Sequence, residues 1–394
     1  MTPAARVQAA IELLDLVIMA ARDDGAAADT LIARYFRERR YAGSKDRRAV
    51  RELVYRAIRR HGDRPESGRA AMVGLAGEDD ALAALFDGSP HAPAPIRPGE
   101  PAATASLLPD WIAPELAAPI DAAEQVALLE RAPLHIRVNG LAASRTDLLA
   151  HWPGAQALAY TPHGIALPAG TDIAGDPRLQ AGEVEVQDGG SQLIGLACAA
   201  RPGMTVLDLC AGGGGKTLAL AADMAGQGRL VAADTARDRL ARLVPRARRA
   251  GADVMIETVL LDPHKEAERL AALAGRCDVV LIDAPCSGAG TWRRNPEARW
   301  RLTPGRLERI TALQAHLLQI AAPLVKPGGR LVYAVCSLLE REGRGQIEAF
   351  TSADPLWQSV PASEAGRPWG AGTLLTPYHD GTDGFFFAAL QKAC

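Results

Sequence analysis

Apolar positions recur at helical spacing in the first sixty residues, then give way downstream to short, nearly continuous runs. Val7, Ala10, Ile11, Leu14, Val17, Ile18 and Ala21 fall on one stripe and predict an amphipathic helix. The same period continues through Ala26–Arg40 and Ser44–His61, with Ser44 a candidate N-cap. The stretch DGSPHAPAPIRPGEPAATAS then breaks any regular pattern and reads as a linker. Helical spacing returns around Trp111–Arg131, followed by a short mixed region from HIRVNG through LAYTPHGIALPAG. From about residue 183 the runs TVLDLC, RLVAAD, DVMIETVLL, DVVLIDAP and RLVYAVCS alternate with helical segments. Such alternation predicts an α/β fold, a parallel sheet doubly wound with helices. The expected organisation is an all-α domain over 1–90, a linker over 91–110, a small α+β region over 111–182 and the α/β domain over 183–394.

Composition narrows the class. Apolar residues make up 48% and charged residues 23% of 394, the balance of a globular chain. No apolar run approaches the ~20 residues that span a bilayer. Glu12 and Asp15 interrupt the N-terminal stretch, which argues against a signal peptide. Six cysteines without CxxC spacing give neither a disulfide framework nor a metal site, so a reducing cytoplasm is the expected location. A monomer is expected. The net charge of −2 excludes a general polyanion binder. Arginines nonetheless crowd RYFRERRYAGSKDRRAVRELVYRAIRRHGDR, RDRLARLVPRARRA and TWRRNPEARWRLTPGRLERI, three runs that together suggest a phosphate-tracking surface.

In doubly wound sheets, ligands sit at the carboxyl ends of the strands, near the point where the strand order reverses. The first strand runs into DLCAGGGGKTLALAA, where Cys210, Ala211, Gly212, Gly213, Gly214, Gly215 and Lys216 form a turn leading into a helix. Glycines allow close backbone approach, and the helix N-terminus favours an acidic group. Two ligand classes compete. Gly215–Thr217 could end a phosphate-binding loop of an NTPase, but that pattern needs glycine where Cys210 stands. S-adenosylmethionine fits better: RLVAAD delivers Asp234 about twenty residues on, where a ribose-binding acid belongs. Asp262, closing DVMIETVLLD, would then lie near the adenine.

Two strand tips carry a cysteine. VVLIDAPCSGAGTW places Asp283 three residues before Cys286, and RLVYAVCS places Cys336 on a neighbouring tip. Carbon 5 of a pyrimidine becomes nucleophilic only after a thiolate adds at carbon 6. That chemistry needs one nucleophilic cysteine, an acid beside N3 and a second group to complete the reaction. Asp283, Cys286 and Cys336 are of these types. Lys216 could neutralise a cofactor carboxylate, and Arg293 and Arg294 could touch RNA phosphate. His316, on an apolar helix, reads as structural. Trp292 could stack on a base or pack in a core.

DLCAGGGGKT, LIDAPCSGAGTWRRNPEARW, LVYAVCSLLEREG and GTDGFFFA, in this order, resemble the RsmB/Nop/Sun RNA cytosine-5 methyltransferases. EVEVQDGGSQL and APLHIRVNG are similar to further segments of that family. DRRAVRELVYRAIRR resembles the NusB-like RNA-binding domain of its bacterial ribosomal RNA member. The resemblance implies a class I, Rossmann-like methyltransferase domain behind a NusB-like helical domain. It implies Cys336 as nucleophile, Cys286 as the thiol assisting product release, and Asp283 on the cytosine beside the cofactor. The loop Cys210–Lys216 with Asp234 and Asp262 would hold S-adenosylmethionine. The implied substrate is small-subunit (16S) ribosomal RNA, with tRNA or another RNA as the alternative; a non-catalytic RNA-binding assembly factor is the rival of a different class. The family loop reads closer to CAAPGGKT, so Gly212, Gly213 and Gly214 are expected to add flexibility here.

Overall fold

The computed structural model describes every residue except Asp24. The chain divides into two compact units, Met1–Glu130 with Thr291–Arg306, and Arg131–Gly290 with Leu307–Cys394. In this division the first break falls at 130/131. The proline-rich stretch stays in the first unit because it is hydrogen-bonded there: Ala103 N donates to Ala70 O, and Arg69 pairs with Glu100.

In the first unit, α1 (Pro3–Arg22) opens with Thr2 capping Ala5 N, and Pro3 sits at a position where its missing N–H costs nothing. Its stripe is buried as the spacing predicts. Around it pack α2 (Ala28–Glu38), α3 (Ser44–Arg60) and α4 (Gly68–Ala76). Ser44 is the first helical residue of α3; Gly43 is the cap, its N–H donating to Asp46.

The segment Thr291–Arg306 belongs to this helical unit, which the sequence did not suggest. Arg299 is buried and donates to the carbonyls of Ile58, Arg59 and His61, closing the C-terminus of α3. Glu297 accepts from Ala28 N at the start of α2, and the Trp300 indole donates to His61 O. Trp292 is fully buried, so it packs and does not stack on an incoming base. Arg293 is buried as well, out of reach of solvent phosphate, while Arg294 is half-buried.

The second unit begins with an antiparallel sheet of β1 (Leu134–Val138), β2 (Gln156–Ala157), β3 (Gly164–Leu167) and β4 (Val184–Val186), in the order β2-β3-β1-β4. Helix α5 (Gly189–Ala197), capped by Asp188, leads into the main sheet. The elements then follow as β5 (Thr205–Asp208), α6 (Gly215–Asp223), β6 (Arg229–Asp234), α7 (Arg237–Leu240), α8 (Leu243–Arg249), β7 (Ile256–Leu260), β8 (Cys277–Asp283), α9 (Pro304–Ala321) and β9 (Val325–Val335). After α10 (Arg344–Ala353) come β10 (Trp357–Val360), β11 (Arg367–Trp369), β12 (Gly372–Leu375) and β13 (Phe385–Lys392).

Strand order is β11-β12-β13-β9-β8-β5-β6-β7, with β10 on the far end of β13. Pairing is parallel from β9 to β7 and antiparallel beyond β9. The central strands are buried on both faces, which is why they read as unbroken apolar runs. The order reverses at β5, flanked by β6 and β8. The crevice for a ligand lies above that point.

Candidate active site

A cavity of about 440 Å³ opens at the carboxyl ends of β5, β6, β8 and β9. Cys210, Asp234, Arg239, Leu261, Glu266, Asp283, Cys286 and Cys336 are among its lining residues. Its volume suits a nucleoside-sized ligand.

The glycine loop bends as its composition requires. Gly212 and Gly214 take positive φ values of 53° and 85°, and Gly214 caps α6. Asp234 fastens the loop from below, accepting from Gly212 N and Ala236 N at 2.7 Å each. The added flexibility expected of the glycines is countered by arginines. Arg246 on α8 donates to Gly213 O and pairs with the buried Glu185 at 2.8 Å, while Arg249 pairs with the same carboxylate. The Arg239 guanidinium lies where a Cβ on residue 212 would stand. Asp262 is exposed just past β7, and at this strand end Leu261 and Glu266 line the cavity. His316 Nε2 lies 3.6 Å from Glu266 Oε2.

Two charged groups meet beneath the cavity. Lys216 Nζ donates to Asp283 Oδ2 at 2.7 Å. Asp208, fully buried at the end of β5, accepts from the Thr217 hydroxyl at 2.7 Å and keeps its other oxygen without a partner. Burial pushes its carboxyl up to about 7. Burial likewise raises the Cys210 thiol.

The tips of β8 and β9 bring the two cysteines together, Sγ to Sγ at 3.1 Å. Cys286 is raised well above a free thiol, first by its hydrogen bond to Cys336, then by burial. The two sulfurs thus share one hydrogen bond, to which either thiol can donate. Each cysteine is followed by a serine, and both serines reach one buried carboxylate. Glu342 accepts from Ser287 N at 2.8 Å, from the Ser287 hydroxyl and from the Ser337 hydroxyl at 2.5 Å. Gln314 Nε2 donates to Glu342 at 3.0 Å and to Pro285 O at 2.9 Å. Sequence reading passed over Glu342, Ser287 and Ser337, although the repeated Cys–Ser pair was a visible signal. The loop is closed by Gly290, whose N–H donates to Cys336 O and whose carbonyl accepts from Gly384 N at 2.7 Å. No room exists there for a side chain.

The profile of a family described as 16S rRNA methyltransferase RsmB/F matches residues 196–391. A probable ribosomal RNA small subunit methyltransferase B from Synechocystis is 35% identical over 272 residues, covering 66% of this chain and 60% of the relative. The corresponding Bacillus subtilis protein is 33% identical over 308 residues, covering 74% and 67%. The chain thus matches 60% to 67% of the length of these curated relatives. Among solved structures, a methyltransferase homolog protein from Pyrococcus horikoshii is 27% identical with a TM-score of 0.61, covering 71% of this chain and 92% of that one. With the Rossmann-like sheet and the paired motif cysteines, these relationships place the chain in the RsmB/F family of methyltransferases.

Proposed function

We propose that this protein methylates carbon 5 of a cytosine in RNA, using S-adenosylmethionine and a covalent cysteine intermediate. The observation that carries the reading is the Cys286–Cys336 pair, 3.1 Å apart, on the same cavity as the Lys216–Asp283 ion pair. A chain that only bound RNA would have no use for two thiols in contact beside a buried acid.

The donor set fits the cofactor. The loop Cys210–Lys216 supplies backbone N–H groups at the start of α6, and Asp234 supplies a carboxylate for a ribose diol. Bound there, S-adenosylmethionine supplies an electrophilic methyl group. The chain's own residues do the rest. Cys336, as thiolate, adds to carbon 6, and the electron pair released is accommodated by a proton delivered to N3 from the Lys216–Asp283 pair. Carbon 5 then takes the methyl group. The hydrogen bond to Cys336 is the first cause of the raised Cys286 pKa, and that partner is altered when Cys336 becomes a thioether. Cys286 can then lose its proton to solvent and, as thiolate, remove the proton from carbon 5. The carbon 5–carbon 6 double bond reforms, Cys336 leaves as thiolate, N3 returns its proton to the Lys216–Asp283 pair, and Cys286 keeps the proton taken from carbon 5. One proton is released per methyl transferred.

The base must be unpaired or flipped out to meet Cys336 face-on. Small-subunit ribosomal RNA is the substrate we favour, because the relatives are named for it. The helical unit exposes Arg34, Arg37, Arg40, Lys45, Arg47 and Arg48, and we assign it the recruitment of RNA in a monomeric cytoplasmic enzyme. Bisulfite sequencing of ribosomal RNA from cells lacking the protein tests the reading: one cytosine should lose its methyl mark and regain it on complementation. Retention of every mark, together with binding of ATP–magnesium and none of S-adenosylhomocysteine by titration calorimetry, would overturn it.

A further inference from the structure

Glu342 is fully buried, lines no part of the cavity, and yet gathers donors from three separate segments. A buried carboxylate costs several kcal/mol unless hydrogen bonds replace its water. Here the replacement comes from Ser287, on the loop after β8, from Ser337, at the end of β9, and from Gln314 on α9. Each hydroxyl gives its single hydrogen to Glu342 and accepts a backbone N–H two residues on, and the two oxygens lie 3.1 Å apart. The Tyr333 hydroxyl fixes the other end by donating to Glu342 O at 2.6 Å. Cys286 and Cys336 are the residues immediately before the two clamped serines.

We infer that Glu342 is a positioning residue, a shared clamp on both cysteine loops that fixes the thiol–thiol contact and keeps the reactive charge on Cys336. Its position explains both halves of this role. Hydrogen bonds to a common carboxylate hold the two tips in register, so neither sulfur can swing away without stranding a buried charge. Its negative charge lies behind Cys286 and opposes ionisation of that thiol. A neutral clamp would hold the distance but not the asymmetry.

The inference rests on the covalent reaction proposed above, but its test does not require methylation. The full-length protein and its Glu342→Gln and Glu342→Ala variants are treated with iodoacetamide from pH 6 to 9, and alkylation at each cysteine is followed by peptide mass spectrometry. In the unaltered protein Cys336 should react at least tenfold faster than Cys286. Glu342→Gln, which retains much of the geometry without the charge, should shrink that ratio several-fold. Glu342→Ala should abolish it and lower kcat for methylation about a hundredfold, with S-adenosylhomocysteine affinity within threefold. If Glu342→Ala does not fold, Ser287→Ala removes one hydroxyl donor of the clamp while keeping the backbone N–H, and should shrink the ratio in the same direction. An unchanged ratio in Glu342→Gln and in either truncating variant overturns the clamp, whatever happens to melting temperature. Should the unaltered protein methylate no RNA while the ratio shifts as stated, the reaction reading fails and the clamp stands.

Discussion

Lys216, in the first turn of α6, reaches Asp283 at the end of β8 and donates to its Oδ2 at 2.7 Å. Burial pulls the lysine's pKa down, but Asp283, with Cys336 and Asp208 nearby, more than offsets this and holds it above its ordinary value. The ammonium thus faces a carboxylate of the protein itself.

Lys216→Met should therefore reduce kcat by about 10²–10³, the usual cost of removing a charge aimed at the transition state. S-adenosylhomocysteine affinity should change by no more than a few-fold. Single-turnover kinetics alongside calorimetry separate the two effects. A large affinity loss with kcat retained would return Lys216 to the cofactor.

Asp234 has two tasks, since its oxygens already hold Gly212 N and Ala236 N. Asp234→Ala should weaken cofactor binding by roughly 1.5–3 kcal/mol, the range for hydrogen bonds to a charged group. RNA affinity, measured by filter binding, should barely move. Unchanged cofactor affinity would remove Asp234 from the site.

Arg246→Ala should test whether arginines replace the stiffness the glycine loop lacks. The variant frees Gly213 O and leaves the buried Glu185 to Arg249 alone. Thermal stability should fall by about 1–3 kcal/mol, as for a buried group that loses a partner. Cofactor affinity should fall several-fold. A stable variant with normal affinity would make the brace incidental.

Asp208 gives a pH signature. Its folded pKa, about 7, exceeds that of an unfolded aspartate, so the folded state binds the extra proton. Its contribution to stability is full below pH 4 and is lost as pH rises from 4 to 7, at most ~4 kcal/mol for a shift of this size. Thr217 and Lys216 favour the charged form, while Asp283 and Asp234 oppose it. Asp208→Asn keeps an acceptor for Thr217 and removes the titration. Its melting temperature should therefore gain on the parent between pH 5 and pH 8; equal pH profiles would contradict the burial account.

The sheet was legible because parallel strands buried on both faces leave unbroken apolar runs, and β5, β6, β8 and β9 fall on the segments expected. Cys210, Asp234, Asp283, Cys286 and Cys336 line one cavity because motifs at strand tips share a crevice whatever their separation along the chain. Asp262 shows the limit: one residue decides which face a strand end presents, and Leu261 faces inward instead. The placement of Thr291–Arg306 was not legible at all. Arginines at 293, 299 and 301 look like an exposed basic run in sequence, yet Arg299 is consumed capping α3 and Arg301 donates to Gly25 O. Only long-range packing distinguishes a buried cap from a phosphate contact. Removing residues 1–90 would take from Trp300 and Arg299 the partners that bury them.

The two thiols are in contact, yet the proposed reaction needs them at different times. Cys336 forms the bond to carbon 6, so Cys336→Ala should abolish both methylation and any covalent complex. Cys286 is required only after methyl transfer, when Cys336 has become a thioether. Cys286→Ala should add to the base and methylate it, then stall with the carbon 5 proton in place. In the presence of S-adenosylmethionine and substrate RNA, it should give a slow-migrating band on a denaturing gel that nuclease treatment collapses. The double variant should give none. Removing Cys286 also removes the hydrogen bond shared with the Cys336 sulfur, so adduct formation should be slower than in the unaltered enzyme but should run to completion. An adduct in Cys336→Ala and none in Cys286→Ala would exchange the roles. Turnover by both single variants without any adduct would leave the 3.1 Å contact a packing feature and remove covalent catalysis from this site.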